Sequence, residues 1–329
     1  MRRRQVLVLA GGAAAWPVAA NAQRASMPRV GILIVQSDLH PDPPSWVAAF
    51  RDGLRSRGWI EGQTIQTDVR YGRSDREAIL RHAAELVALK PDVIFAQGVI
   101  GAAVMKQATQ TIPVVFVQVQ GPVEGGIVTN LARPEANLTG FTNFDHSVIG
   151  KWLSLLKGAA PHVSRVMLMI NPDNRPRWNG YLAAMERYGQ ALGLKPPHGA
   201  GIYSAADVER EIVQFAVQPN GGMVVPPDAT TGVQGKLIIE LAARHRLPSV
   251  FSSAALARDG ALIGYGDDVI GQYRNAASYV DRLLRGAKIS DLPVQATDRY
   301  VTTINLKTAA TLGITIPATI LAAADEVIE

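Results

Sequence analysis

The sequence predicts an α/β protein of two lobes, each a parallel sheet covered by helices. Three observations predict it. Short β-rich apolar runs alternate along the chain with stretches of helical period, the pattern of strand–helix–strand units. The runs are apolar throughout, as in Arg29-Val30-Gly31-Ile32-Leu33-Ile34-Val35, so both of their faces are buried. The rhythm breaks at Gly121-Pro122-Val123-Glu124-Gly125-Gly126 and then restarts.

After the first strand, Ser45 is placed to cap a helix with Trp46, Ala49, Phe50 and Leu54 near one face, and Gly58 stops it. Residues 64–71 alternate like an edge strand, and Asp75 caps a helix whose apolar face is Ile79, Ala83, Leu86 and Val87. Pro91 introduces a strand at 93–96, Gly98 starts a helix through Gln107, and Pro113 introduces a buried strand at 114–117. These β-α repeats make one lobe, and a further short strand, 137–141, follows where a first hinge is expected. The second lobe reads as helix 146–158, strand 165–170, helix 177–192, strand 199–203, helix 205–216, strand 222–225, helix 233–246 and strand 249–251. A turn at Asp259-Gly260 and strand 261–265 complete it. Val269, Tyr273, Ala276, Ala277, Val280, Leu283 and Leu284 mark a long amphipathic helix, before a strand at 300–305 and a short helix from Leu306 to Gly313.

At the N-terminus Arg2, Arg3 and Arg4 precede an apolar run from Val6 to about Ala20, which ends in Ala20-Asn21-Ala22. A basic region, an apolar stretch and small residues two apart predict a cleavable signal peptide over residues 1–22. The run is too short, and too diluted by Gly11, Gly12 and alanines, for a stable membrane span. A core helix is the competing reading, but nothing on its polar side would solvate a surface face. Arg3-Arg4-Gln5-Val6-Leu7 resembles the twin-arginine export motif with Val6 in place of the usual Phe, so Sec and Tat export both stay open.

Composition fits an exported globular protein. The 329-residue chain is 47% apolar and 19% charged, enough material for two compact lobes. Its formal net charge of +5 includes three arginines and no acid within residues 1–22, which leaves +2 for the mature chain. The remaining Lys and Arg are scattered, with no aromatic-interleaved basic stripe, so nucleic acid is not an expected partner. There is no Cys, which excludes disulfides, thiolate metal sites, cysteine nucleophiles and a lipoprotein anchor. The expected compartment is the periplasm of a Gram-negative cell.

A series of segments carries a resemblance. Ile112-Pro113-Val114-Val115-Phe116 leads to Gly121-Pro122-Val123, then Asn137-Leu138-Thr139-Gly140, Asn171-Pro172-Asp173-Asn174 and Gly260-Ala261-Leu262 before Tyr265-Gly266. The end is the most specific: Tyr279-Val280-Asp281-Arg282-Leu283-Leu284-Arg285-Gly286, Asp291-Leu292-Pro293, Ile304-Asn305-Leu306-Lys307-Thr308-Ala309, Leu312-Gly313-Ile314-Thr315-Ile316-Pro317 and Ala324-Asp325-Glu326-Val327-Ile328. In order and spacing these resemble the ABC-transporter substrate-binding proteins of the type I periplasmic-binding fold, a family that includes tryptophan-binding members. The resemblance implies two doubly wound parallel-sheet lobes, 29–120 plus 267–290 and 143–264 plus 298–329, joined by a three-crossover hinge near 120–143, 264–268 and 290–300. It also implies helix 268–286 on the N-terminal lobe, and a monomeric binder that delivers a small molecule to a membrane permease and its ATPase. The family's common Asp-Pro-Val is Gly121-Pro122-Val123 here, so a carboxylate that relatives contribute is missing.

Strand carboxyl ends in open parallel sheets leave a crevice lined by loops and helix N-termini, and two facing sheets make a cleft. Its N-terminal wall is expected from Gln36, Ser37, Asp38, Gln97, Gly98 and Gln120, and its C-terminal wall from Asn171, Asn174, Asp228, Thr230 and Ser252, with Asn143, Phe144 and Tyr265 near the hinge. These loops carry amides, hydroxyls and a few acids, and they are poor in Arg. That suits an amino acid or a similar amphipathic molecule better than a phosphate or a sugar. Simpler roles compete: helix capping for Ser37, Asp38 and Asp228, a turn for Asn171-Pro172-Asp173, and packing for Trp178, Tyr181 and Tyr188. Gln97 follows an all-apolar strand and has no obvious local role, while Phe144 and Phe251 end strands and are expected as aromatic contacts.

Catalytic patterns are missing. No Gly-x-Ser-x-Gly or His-Glu-x-x-His occurs, and Gly232-Val233-Gln234-Gly235-Lys236 lacks the spacing of a phosphate loop. The six histidines form no close pair, Gly264-Tyr265-Gly266 fails the dinucleotide fingerprint, and Asp267-Asp268 reads as helix capping. No catalytic residue, metal site or cofactor is expected. A periplasmic ligand sensor for a membrane receptor and a two-lobed periplasmic enzyme remain as alternatives to an importer's binding component.

Overall fold

In a computed structural model of the chain, which describes residues 27–39, 42–143, 148–173, 175–297 and 299–329, two sheets carry the fold. The first half runs β1 (Arg29–Ile34), α1 (Asp42–Arg55), β2 (Gln66–Tyr71), α2 (Arg76–Ala88), β3 (Val93–Gln97), α3 (Gly98–Ala108), β4 (Val114–Val119) and β5 (Leu138–Thr142). The second runs α4 (Val148–Ala159), β6 (Arg165–Ile170), α5 (Arg175–Ala191), β7 (His198–Gly201), α6 (Ala205–Ala216), β8 (Gly221–Val225), α7 (Ala229–Val233), α8 (Gly235–Arg244), β9 (Ser249–Phe251), α9 (Ala254–Arg258) and β10 (Ile263–Asp267). The chain closes with α10 (Val269–Leu284), a 3-10 turn at Ile289–Asp291, β11 (Gln295–Ala296), β12 (Tyr300–Asn305), α11 (Leu306–Leu312), α12 (Ala318–Ala322) and β13 (Glu326–Ile328).

The sheet orders are β11-β5-β4-β3-β1-β2 and β13-β12-β10-β9-β8-β6-β7. In each half the first strand sits between the second and third, so both sheets are doubly wound, with switch points at β1/β3 and β6/β8. Within the second sheet β12 runs antiparallel to β10.

Alternate residues of each strand feed cores on opposite faces, which is why the strands read as continuous apolar runs. In the first sheet Ile32, Ile34 and Phe95 meet Phe50 and Leu54 of α1 and Tyr273, Ala276 and Val280 of α10, while Leu33, Ile94 and Ala96 meet α2 and α3. In the second, Val166, Leu168 and Ile170 pack under α4 and α5, and Met167 and Met169 under α6 and α8. Phe50 and Phe95 stack 4.4 Å apart, with Tyr273 edge-on to Phe95 at 5.2 Å. Truncating Phe95 to Ala would therefore cost about 3–5 kcal/mol, the scale for a fully buried aromatic. At Gly140 a Cβ would lie 2.0 Å from Phe116 O, so only glycine lets β5 approach β4 there.

Several elements differ from the sequence reading. The first helix starts at Asp42, not after Ser45, because Pro43 and Pro44 fit a first turn whose N–H groups have no helical partner. The helix expected over 233–246 is two helices, since Asp228 caps an earlier start at Ala229 and the chain breaks at Gln234. A short α9, capped by Ser253, precedes a strand that runs to Asp267. Strand β5 joins the first sheet, so the first crossing lies between Thr142 and Val148; the others lie between Asp267 and Val269 and between Ala296 and Tyr300. The expected signal peptide, residues 1–22, lies outside the described residues. Among the described residues no helix is long and apolar enough to cross a membrane.

Candidate functional site

An amide ties each switch point together. On the first sheet the backbone N–H of Val35, just past β1, donates to Gln97 Oε1 at 3.0 Å, and Gln97 Nε2 donates to Gln118 Oε1 at 2.9 Å. Tyr273 OH donates to the same Gln118 oxygen at 3.4 Å, and Gln118 N–H donates to Gln272 Oε1 at 3.2 Å. Gln272 Nε2 reaches the Thr142 carbonyl at 3.4 Å. A relay of side-chain amides thus runs from the β1/β3 crevice to the first crossing. Gln118 adopts φ +55° where β4 shifts register against β5, a left-handed backbone held by these contacts. Gln97, 5% exposed, therefore has the local role that the sequence did not reveal.

On the second sheet Asn171 Nδ2 donates to Thr230 Oγ1 at 3.1 Å, joining the loops after β6 and β8. Asn171 Oδ1 accepts from Asp173 N–H at 2.8 Å, the turn contact that competed with a ligand role. Asp228 Oδ1 accepts from Thr230 and Thr231 N–H at 3.0 and 3.1 Å, as an N-cap does. Its Oδ2 lies 3.8 Å from Nη1 of Arg177, whose guanidinium lies 5.6 Å from the centre of the Tyr181 ring. Tyr181 is buried in the core, but its hydroxyl accepts from Gln120 Nε2 of the first lobe at 3.4 Å. This bond joins the two walls directly.

The crossings are knit side by side. Thr297 N–H donates to Thr142 O and Asp268 N–H to Arg299 O, both at 3.1 Å, while Asp268 Oδ1 caps α10 through Gly271 N–H at 2.8 Å. Tyr265 stacks on Tyr300 at 5.3 Å, and its carbonyl accepts from Trp152 Nε1 at 2.8 Å. The capping read for Asp267-Asp268 holds for Asp268 and fails for Asp267, which ends β10 beside Asn143. Burial pushes the Asp267 carboxyl up to about 7, against the opposing effect of a hydrogen bond with Asn143. Asp267 Oδ1 and Asn143 Oδ1 are both buried without a donor.

Other expected wall residues serve their own loops. Asp38 is bidentate to Arg73 at 2.8 and 3.1 Å, which holds its carboxyl below the usual range, and Ser37 Oγ accepts from Leu39 N–H at 3.1 Å. Gln36 accepts through its carbonyl from Arg73 N–H, and Gly98 takes φ +76° to open α3. Ser252 donates its N–H to Val225 O between β8 and β9. Phe251, expected as a ligand contact, is fully buried among Met223, Ile212 and Ile238, because its side of β9 faces α6 and α8. Trp178 and Tyr188 pack against the core as the simpler reading had it. Phe144 and Asn174 lie outside the described residues. Among the described residues no three His, Asp or Glu side chains converge as metal ligands.

Sequence reasoning placed Gln118 in the first wall with Gly121, but it missed Arg177 and Gln272 and read Asp267 only as a cap. It judged the loops poor in Arg, but α5 starts at the carboxyl edge of its sheet, so a guanidinium in its first turn joins the wall. The glutamines were visible as polar residues inside the apolar strand 114–119 and beside Tyr273 on the buried face of a helix.

A family model described as ABC transporter substrate binding protein matches residues 32–328. The chain is 24% identical over 292 residues to the "Tyrosine-binding protein" of Clostridioides difficile (strain R20291), covering 89% of this chain and 83% of that protein. Its fold is similar to the crystal structure of a conserved domain protein from Vibrio cholerae, with a TM-score of 0.80, 25% identity and coverage of 92% and 99% of the two chains. It is also similar to the ABC domain in complex with L-Trp from Streptococcus pneumonia, with a TM-score of 0.80, 22% identity and coverage of 92% and 100%.

Proposed function

The chain belongs to the ABC transporter substrate binding protein family, and from that premise we propose that it is the exported binding component of an importer, holding a small amphipathic amino acid between its lobes. The observation that carries this reading is the Gln120–Tyr181 contact, which joins the loop after β4 of the first lobe to α5 of the second. A ligand held there touches both lobes only when they approach, and three parallel crossings allow such a rotation. The names of the relatives, a tyrosine-binding protein and a domain bound to L-Trp, support an amino acid of aromatic character. In this reading residues 1–22 direct export to the periplasm, the mature protein is a monomer that binds without turnover, and its partners are a membrane permease and its ATPase.

The test is a thermal-shift panel on the mature protein. An amino acid at about 100 times its Kd stabilises the fold by about 2.7 kcal/mol, and L-tyrosine or L-tryptophan should raise the Tm while monosaccharides do not. Stabilisation by monosaccharides alone would overturn the ligand class.

A further inference from the structure

The three crossings are tied to one another, and one of the ties lacks a donor. Asn143 follows β5 of the first sheet and Asp267 ends β10 of the second, so their contact spans the first and second crossings. The backbone bonds from Thr297 to Thr142 and from Asp268 to Arg299 do not change with pH. The side-chain tie does. Asn143 Oδ1 and Asp267 Oδ1 are both buried with no hydrogen-bond partner among the described residues. An ionised carboxylate only accepts, as an amide oxygen does, whereas a carboxyl proton makes Asp267 a donor.

The charged groups around this tie are engaged elsewhere. Arg299 Nε lies 3.8 Å from Asp268 Oδ2 and its Nη2 lies 3.6 Å from Asp325 Oδ1, while Asp268 caps α10. Lys151 of α4 sits over the Tyr265 ring, and Tyr265 stacks on Tyr300, the residue opposite Asp267 in β12. From α10 the uncharged Gln272 turns its amide to the Thr142 carbonyl. Asp145, His146 and Asp298 lie outside the described residues. Burial therefore acts on the Asp267 carboxyl against Asn143 alone.

We propose that Asp267 and Asn143 form a proton-dependent clasp of the hinge: with its proton, Asp267 holds the first and second crossings in the lobe arrangement described above, and loss of the proton favours a more open one. Ionisation charges a buried group, and a rotation that lets water reach it relieves part of that cost. The arrangement in which the carboxyl is raised keeps its full advantage below the ordinary value of 3.8 and loses it as pH rises through about 7. The walls that Gln120 and Tyr181 join therefore part more readily at pH 8 than at pH 6. This inference depends on the two-lobed fold and not on which ligand the cleft holds.

Single-molecule energy transfer on the ligand-free mature protein tests it. The chain has no cysteine, so a dye pair can be placed without background. Glu77→Cys at the start of α2 and Ala206→Cys at the start of α6 are exposed, and they follow β2 and β7, the strands at the ends of the sheets away from the crossings. At constant ionic strength the ratio of compact to open molecules should fall by as much as about 10-fold from pH 6 to pH 8, the limit for one proton. Adding Asp267→Asn, whose amide is a donor at every pH, should flatten the profile and keep the compact form at pH 8. Adding Asn143→Leu, which removes the acceptor, should lower the compact fraction at pH 6. A ratio that does not change with pH overturns the clasp, and so does a profile that persists in Asp267→Asn; if that persisting profile disappears in His146→Gln, the titration belongs to His146 instead. An Asp267→Asn variant that shifts the ratio equally at every pH shows a structural role alone and overturns it as well. An Asn143→Leu profile identical to the wild type removes Asn143 from the clasp and overturns the pair.

Discussion

Replacing Asp267 by Asn should remove a pH dependence that the hinge builds into the folded protein. The carboxyl titrates near 3.8 when solvated and is pushed up to about 7 by burial at the end of β10. Below pH 3.8 folded and unfolded chains both hold the proton, so the group costs nothing. Between 3.8 and 7 only the folded protein keeps it, and stability falls as pH rises; above 7 the loss is complete. A difference of roughly 3 pH units at 1.36 kcal/mol each gives a total of roughly 4 kcal/mol, of which about 2–3 kcal/mol falls between pH 5 and 8. For a chain of this size that is a fall in Tm of roughly 3–5 °C. The carboxylates held below their usual range, Asp38, Asp75, Glu85, Asp207 and Glu326, act in the opposite sense, and they act as pH falls through their own lowered values, outside this window. Thermal unfolding of the ligand-free protein at constant ionic strength reads the difference. Asp267→Asn should flatten the profile from pH 5 to 8 and exceed the wild type at pH 8. Parallel profiles, or a variant less stable than wild type at pH 8, would refute the burial argument.

Gln97→Ala leaves the Val35 N–H without its partner and Gln118 Oε1 with only the Tyr273 hydroxyl, so the ligand-free protein should lose about 1–3 kcal/mol in urea unfolding; an unchanged midpoint would show that the amide relay contributes nothing. Tyr181→Phe removes the oxygen that Gln120 meets and keeps the ring in the core. Affinity for L-tryptophan should fall by about 2- to 10-fold with little change in ligand-free Tm, and unaltered affinity would count against Gln120 and Tyr181 meeting across a closed cleft.

Most of the fold was legible because burial on both faces writes strands as unbroken apolar runs, and β6 was placed at its observed bounds for that reason; α6 was placed at its own because one apolar face recurs at helical period. What was not legible depends on tertiary contacts. The split at Gln234 follows from a cap six residues upstream, and α12 and β13 form only against elements already folded. The site was legible as a set of loops but not as side-chain contacts. Gln97 looked like a ligand contact because its partners, Val35 N–H and Gln118, lie 62 and 21 residues away, and Asp267 looked like a cap because Asn143 is brought beside it by a crossing. Arg177 went unnoticed because charge was counted in loops while the wall also includes the first turns of helices.

The packing of α10 on α1 has a temporal consequence. Trp59 Nε1 donates to Asp281 Oδ1 across 222 residues, and Tyr273, Ala276 and Val280 fill the space beside Phe50 and Phe95. At roughly 5–20 residues per second, the ribosome needs on the order of ten to forty seconds to deliver that helix after Trp59 has emerged. Until that helix arrives the first sheet keeps one bare aromatic face, and by the end of the interval the second lobe already has most of its own strands. The lobe begun first therefore waits for a helix that is delivered after most of the second lobe's strands, and of the second sheet only β12 and β13 follow that helix.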